Sequence, residues 1–393
     1  MSKELRLQRF AVASYFLIGG TAIAVWGVHI PEVEHRLNIT HSIIGSIILL
    51  FGLGAFLAMQ AMGWVIDHYG SKIVTALGGI ATGLGLMIPA FAANVPTLSV
   101  GIFLLGAAVG TLDVGMNANG VIVERSYDRS IFSGLHAMWS VGGIVGAMIG
   151  ALALGANSPM WLTLTVSGLA MAAGSAALWP LLAKGKLDNK PSTTSRSDSK
   201  MANRKVLGTV LLVGLMACFA AISEGSAVDW SALELKTVLG ASDSVAALGV
   251  GAFSATMAIT RLLGDRLVDK LGRFAVVRYG ALIASGGIAI AAFVPNQLAA
   301  ILGWAILGVG ISGIIPQLFI ASGNIGEASH AGRNMAKVFG LTYFGIMAGP
   351  ALIGVLTNFL PLNHALAIGA ILCLLVSLSS PILRSEKFND KAV

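Results

Sequence analysis

Apolar and polar residues come in blocks along this chain. Mainly apolar runs extend from about 10 to 30, 42 to 65, 73 to 93, 97 to 122, 131 to 154, 160 to 183, 206 to 229, 243 to 263, 274 to 294, 298 to 322, 335 to 358 and 364 to 383, with charges, prolines and asparagines between them. A helix needs roughly 20 such residues to cross the hydrocarbon of a bilayer, whereas a membrane strand shows period-two alternation over about 10. These runs are continuous, so they predict twelve membrane-spanning helices.

Composition agrees. With 56% hydrophobic and only 11% charged residues among 393, the chain has too little polar surface to cover a soluble globule. The 49 glycines would weaken helices in water, but small residues let helices approach closely in lipid. Lys3, Arg6 and Arg9 ahead of the first run imitate a signal peptide, yet the run is long enough to span and lacks a small-residue cleavage site, so it reads as the first helix. Cys218 and Cys373 both sit inside apolar runs, which implies neither a disulfide framework nor a metal site.

Charge fixes the orientation. If the N-terminus is cytoplasmic, all but Arg36 and Lys236 of the 25 basic residues fall on inner segments, the asymmetry expected of an inner-membrane protein with an even number of spans and both termini inside. The net charge of +7 therefore reports topology, and no nucleic-acid partner is invoked. One inner segment is long: Lys184 to Lys205 is polar, Ser-rich and basic, and reads as a flexible linker between two six-helix bundles, 1–183 and 206–393. The halves repeat. Asp67, Gly70 and Lys72 recur as Asp269, Gly272 and Arg273, an offset of 202 between the two aspartates. The same offset carries Asp113 onto Ile315, beside Pro316 and Gln317, which predicts a broken, polar helix where transporters built from repeats place their sites.

Asp113 stands in an apolar run with no other charge between Thr97 and Glu124. An ionised carboxylate buried without a partner is so costly that such residues usually mark an ion or substrate path, the alternative being a neutral, hydrogen-bonded acid. Gly110 and Asn117, at i−3 and i+4, share its helical face. Glu224 lies within the seventh span and Asp229 at its outer end, with Trp230 as an interface anchor. His136, entering from the inner end of the fifth span at the depth of Asn117, suits a proton relay or a satisfied structural role. Arg261 closes the eighth span, as a positive-inside anchor or as a partner for an anionic substrate. Trp26, His29, Trp139, Gln317, Asn324 and Tyr343 complete the candidates for a substrate cavity. Gly308-Val-Gly310-Ile-Ser-Gly313 has dinucleotide-loop spacing but lies mid-span with no preceding strand, so close helix packing explains it. No nucleophile elbow, phosphate loop or metal-ligand cluster occurs in the loops, so neither an enzyme nor a cofactor is expected.

An inner loop of the type Gly-x-x-x-Asp-basic-x-Gly-basic, present twice in twelve spans, resembles the major facilitator superfamily over the whole chain. Gly63, Asp67, Gly70 and Lys72 match in the first copy, with His68 and Ser71 where basic residues are usual; in the second, Asp265 replaces the leading Gly, and Asp269, Lys270, Gly272 and Arg273 match. The resemblance implies an all-α fold of two pseudo-symmetric bundles and an inner-loop gate at these residues. Asp113-Val-Gly-Met-Asn117 through Ser133 to Gly143 is similar to the fucose permeases and to poorly characterised bacterial carriers beside them, the second branch also through Glu224 to Trp230. In fucose permeases an acid matching Asp113 takes part in proton-coupled sugar uptake, while their first-span acid is replaced here by Gly27.

The expectation is a monomeric secondary active transporter moving a small polar solute with protons through Asp113, Glu224 and His136. A proton-driven efflux antiporter is the first rival, weakened because Ala147-Met148 stands where fifth-span antiporter sequences carry Gly-Pro. A non-transporting membrane receptor or scaffold is the second.

Overall fold

The computed structural model describes residues 2–39, 41–127, 129–184, 199–326 and 330–384. Among them there are helices and no strands. In the first half, α1 (Lys3–Val28), α3 (His41–Tyr69), α4 (Ser71–Met87, continued by a 3-10 turn), α5 (Val95–Arg125), α6 (Phe132–Gly155) and α7 (Met160–Leu178) are membrane-length, and α2 (Ile30–Leu37) is a short extra helix after α1. The second half has α8 (Ser199–Thr237), α9 (Asp243–Leu271), α10 (Arg273–Phe293), α11 (Gln297–Ile311) with α12 (Ile314–Gly323) as one broken span, α13 (Ala331–Leu356) and α14 (Leu362–Ser379). All twelve expected spans are present, and the expected break in the tenth falls at Ser312-Gly313. Pro316 sits in the first turn of α12, where its missing N–H costs nothing.

Three boundaries differ from the sequence reading. The seventh span continues as helix to Thr237, the eighth to Leu271, and α8 begins at Ser199, so the last residues of the expected linker are helical. Residues 185–198 of that linker lie outside the described residues.

The offset of 202 recurs in local structure. Asn94 caps α5, its Oδ1 accepting from the Thr97 N–H at 3.0 Å, and Asn296 caps α11 by accepting from the Ala299 N–H at 3.0 Å. Gly70 and Gly272 separate α3 from α4 and α9 from α10 with φ/ψ of 84°/162° and 79°/158°, a region open in practice only to glycine. Gly106 of α5 lies so close to α3 that a Cβ would meet the Phe51 backbone, and Gly308 of α11 meets the Phe253 backbone of α9 in the same way. The dinucleotide-like glycines are thus explained by helix contact.

The chain forms two compact units. The first comprises residues within 1–128, 135–192 and 326–340; α5 lies against α3, α4 and α1, and α4 against α7. Its apolar core includes Val25, Trp26, Leu86, Leu98, Ile102, Leu105 and Leu164. The second comprises residues within 129–134, 193–325 and 341–393, with α11 against α9 and α10, and α10 against α14. The pairings α9–α11, α10–α11 and α10–α14 repeat α3–α5, α4–α5 and α4–α7 of the first unit. Many Leu, Ile, Val and Phe side chains face outward, among them Leu152, Leu298 and Phe359, as lipid contact requires and water would penalise.

Candidate functional site

Capped by Asn94, α5 holds Gly110, Asp113 and Asn117 on one face within the first unit. A Cβ at Gly110 would meet the Ala55 backbone of α3, so that face is packed against its neighbour. Asp113 is 8% exposed and Asn117 fully buried. The Asn117 amide donates through Nδ2 to Asp113 Oδ1 at 2.8 Å and to its carbonyl at 2.9 Å. Asn117 Oδ1 lies 3.0 Å from His136 Nε2 of α6. Because Nδ2 is committed to Asp113, Oδ1 must accept, and His136 therefore carries a proton on Nε2. The His136 ring lies 5.0 Å from that of Phe16 in α1. One turn along α6, Trp139 packs over Gly19 and Gly20 of α1. The structure thus brings Asp113, Asn117, His136 and Trp139 into one region, with a carboxylate and an imidazole joined through a single amide. A hydrogen bond to a charged group is worth about 1.5–3 kcal/mol, enough for the amide to bias which group holds a proton.

At the junctions next to Gly70 and Gly272, carboxylates meet the starts of other helices. Within the first unit, Asp67 of α3 accepts from the Gly332 N–H at 2.6 Å, the Arg333 N–H at 3.3 Å and Arg333 Nε at 2.8 Å, all in the first turn of α13. Gly63 gives α13 room, since a Cβ there would meet Ala336 and Gly332. Within the second unit, Asp265 accepts from the Ser133 N–H at 2.8 Å and the Gly134 N–H at 2.9 Å, and Asp269 from the Ser130 N–H at 2.9 Å. Asp67 and Asp265 use the positive end of a helix, where an anion is stabilised by unpaired N–H groups and the dipole, and Asp269 holds the turn just before α6. The departure at Asp265, where the motif has Gly, supplies a second capping carboxylate. The basic residues serve elsewhere: Lys72 Nζ donates to the carbonyls of Pro180 and Leu182 at 2.9 and 3.2 Å, and Arg273 Nε to Gln317 Oε1 at 3.1 Å.

Other candidates fall apart from these clusters. Trp26 belongs to the apolar core of the first unit, and His29, fully buried at the end of α1, places Nδ1 2.8 Å from the Val25 carbonyl. Gln317 is fully buried and joined to Arg273 at the start of α10. Asn324 ends α12 and is buried, Tyr343 is half-buried on α13, and Asp229 is exposed on α8, two turns before the helix ends. Arg261 lies ten residues before the end of α9, about 15 Å at 1.5 Å per residue, so it does not close that helix; Glu224 is its ion-pair partner at 3.3 Å.

One acid escaped the sequence reading. Glu234 is fully buried, and its Oε2 accepts from Trp304 Nε1 at 2.9 Å. Small or apolar residues at 227, 231 and 235, a helical spacing that continues past Asp229, were the available signal.

The chain matches the family model described as Major Facilitator Superfamily over residues 11–233 and again over 213–391. It is 33% identical to an uncharacterized MFS-type transporter of Yersinia pestis over 373 residues, covering 95% of each chain. An uncharacterized transporter of Sinorhizobium fredii is 29% identical over 374 residues, 95% of this chain and 97% of that one. Among solved structures, the fucose:proton symporter of E. coli superposes with a TM-score of 0.79 at 16% identity, over 98% of this chain and 100% of that chain, a likeness of fold.

Proposed function

The chain belongs to the major facilitator superfamily, and on that premise we propose that it is a proton-coupled symporter, moving a small polar solute across the bacterial inner membrane by alternating access with both termini in the cytoplasm. The family makes it a multi-pass membrane transporter; the coupling and direction are our reading. One observation carries it: Asp113, 8% exposed in an apolar helix, hydrogen-bonds the amide that also meets His136. A carboxylate and an imidazole so linked can share a proton between a loaded and an unloaded form, which a purely structural acid has no need to do. The symporter whose fold it shares is named for proton coupling, which supports the same direction. The placement of basic residues supports the orientation.

In this reading Asp67, Asp265 and Asp269 hold one access state by capping α13 and the segment that leads into α6, and release them in the other. Glu224 remains a candidate second acid, and Trp139 and Asn117 belong to the solute path. The halves 1–183 and 206–393 act as the moving bodies. The test is transport by the purified protein in proteoliposomes, using the solute that most raises its melting temperature in a screen of sugars, amino acids, peptides and organic acids. An inward proton gradient should drive accumulation, and a protonophore should abolish it. Accumulation indifferent to the proton gradient would contradict the coupling; no flux for any stabilising solute would favour a receptor.

A further inference from the structure

Arg261 and Glu224 form a half-buried ion pair in the second unit that is loosely made. Their contact is one N–O distance of 3.3 Å, Arg261 Nε reaches the Ser312 carbonyl at 3.4 Å, and Glu224 Oε2 is buried with no partner. The side chains are 11% and 24% exposed. A guanidinium offers five N–H donors in a planar fork suited to grip a carboxylate through two parallel bonds, and here two of them are used, both in long bonds. Ser312 lies at the break between α11 and α12, the irregular backbone that repeat-built transporters place beside their solute. A purely structural buried pair repays its desolvation only with tight geometry and satisfied lone pairs. This one has neither.

We propose that Arg261 is the site for a carboxylate group of the solute, and that Glu224 is its exchangeable counter-ion. The incoming carboxylate takes the guanidinium, Glu224 gives it up and accepts one proton from hydronium in the bulk solution, and the pocket's net charge is unchanged. When the anion leaves, Glu224 returns the proton and re-forms the pair. The charge balance forces the coupling, because an anion entering beside an ionised Glu224 would leave an uncompensated charge in a low-dielectric site. One anion therefore binds with one proton, and affinity for the anion falls as pH rises. Within ten residues of the pair, α8 carries Cys218, Asp229 and Glu234, and α9 carries Asp265, Arg266, Asp269 and Lys270. Of the elements packed against α8, α11 and α12 carry no titratable residue, α14 carries His364 and Cys373, and α13 carries Tyr343, with Arg333 and Lys337 nearer its start.

This inference rests on the transporter reading for its purpose but is tested by binding alone. The probe is sodium acetate against neutral acetamide at constant ionic strength, read as the thermal shift of the purified full-length protein on the acidic and alkaline sides of neutrality. Acetate should stabilise the wild type, more on the acidic side, and acetamide should not. Glu224→Gln should keep the acetate shift and lose its pH dependence; Arg261→Gln and the charge-balanced double variant Glu224→Gln/Arg261→Gln should lose the shift. The double variant leaves no buried charge alone, so it guards against misfolding of the single one. No acetate shift in the wild type, or a shift surviving in the double variant, overturns the proposal. Acetate binding through Arg261 without proton-driven flux of any carboxylate would overturn the symporter reading and leave the site standing. Proton-driven flux of a neutral solute, untouched by Glu224→Gln/Arg261→Gln, would do the reverse.

Discussion

Arg333 meets Asp67 twice, through its backbone N–H at 3.3 Å and its Nε at 2.8 Å, so one carboxylate holds both the first turn of α13 and the side chain that turn presents. Charge-assisted bonds of this kind contribute about 1.5–3 kcal/mol, and a difference of about 1.4 kcal/mol shifts a two-state equilibrium tenfold. Asp67→Asn should therefore move the balance of inward- and outward-accessible forms by about tenfold, read as the labelling rate of single cysteines placed along α3 and α13. Unchanged labelling would leave Asp67 as a cap and no more.

Asp265 and Asp269 together meet the segment leading into α6, two carboxylates where Asp67 is one. Each single Asn variant should shift accessibility less than Asp67→Asn, and the double variant should match it. A full effect from Asp269→Asn alone would show that Asp265 does not share the load.

Gly272 has open space around its missing Cβ, yet its φ of 79° with ψ of 158° excludes side chains. Gly272→Ala should cost about 1–3 kcal/mol through the backbone alone, seen as a lowered melting temperature without loss of membrane insertion. An unchanged melting temperature would mean that the junction between α9 and α10 relaxes freely.

Glu234→Gln retains an oxygen for the Trp304 N–H, whereas Glu234→Ala leaves that donor buried and unpaired. The alanine variant should lose about 1–3 kcal/mol relative to the glutamine variant. Equal melting temperatures for the two would remove the bond from the account.

The spans were legible in the sequence because bilayer thickness dictates their length, and the repeat because the junction glycines and the aspartates before them keep one offset. Asp113 and Asn117 were legible for a local reason, a helical spacing of four. Arg261 was misplaced and Glu234 missed for the opposite one. Charges were taken to mark span ends, but α9 runs on to Leu271 and α8 to Thr237, and what buries each acid or base is a residue from a distant helix: Glu224 for Arg261 and Trp304 for Glu234. The same holds for Gln317, whose partner Arg273 belongs to an earlier helix. Tertiary partners of that kind leave no periodic trace.

The proposed proton path through Asp113 is tested most directly by Asp113→Asn in proteoliposomes, using the solute identified with the wild type. Asn keeps the shape and the hydrogen bond to Asn117 but cannot titrate. Exchange of labelled solute down its own gradient should persist, while accumulation driven by a proton gradient should vanish. Proton-driven accumulation at the wild-type rate in Asp113→Asn would contradict the assignment.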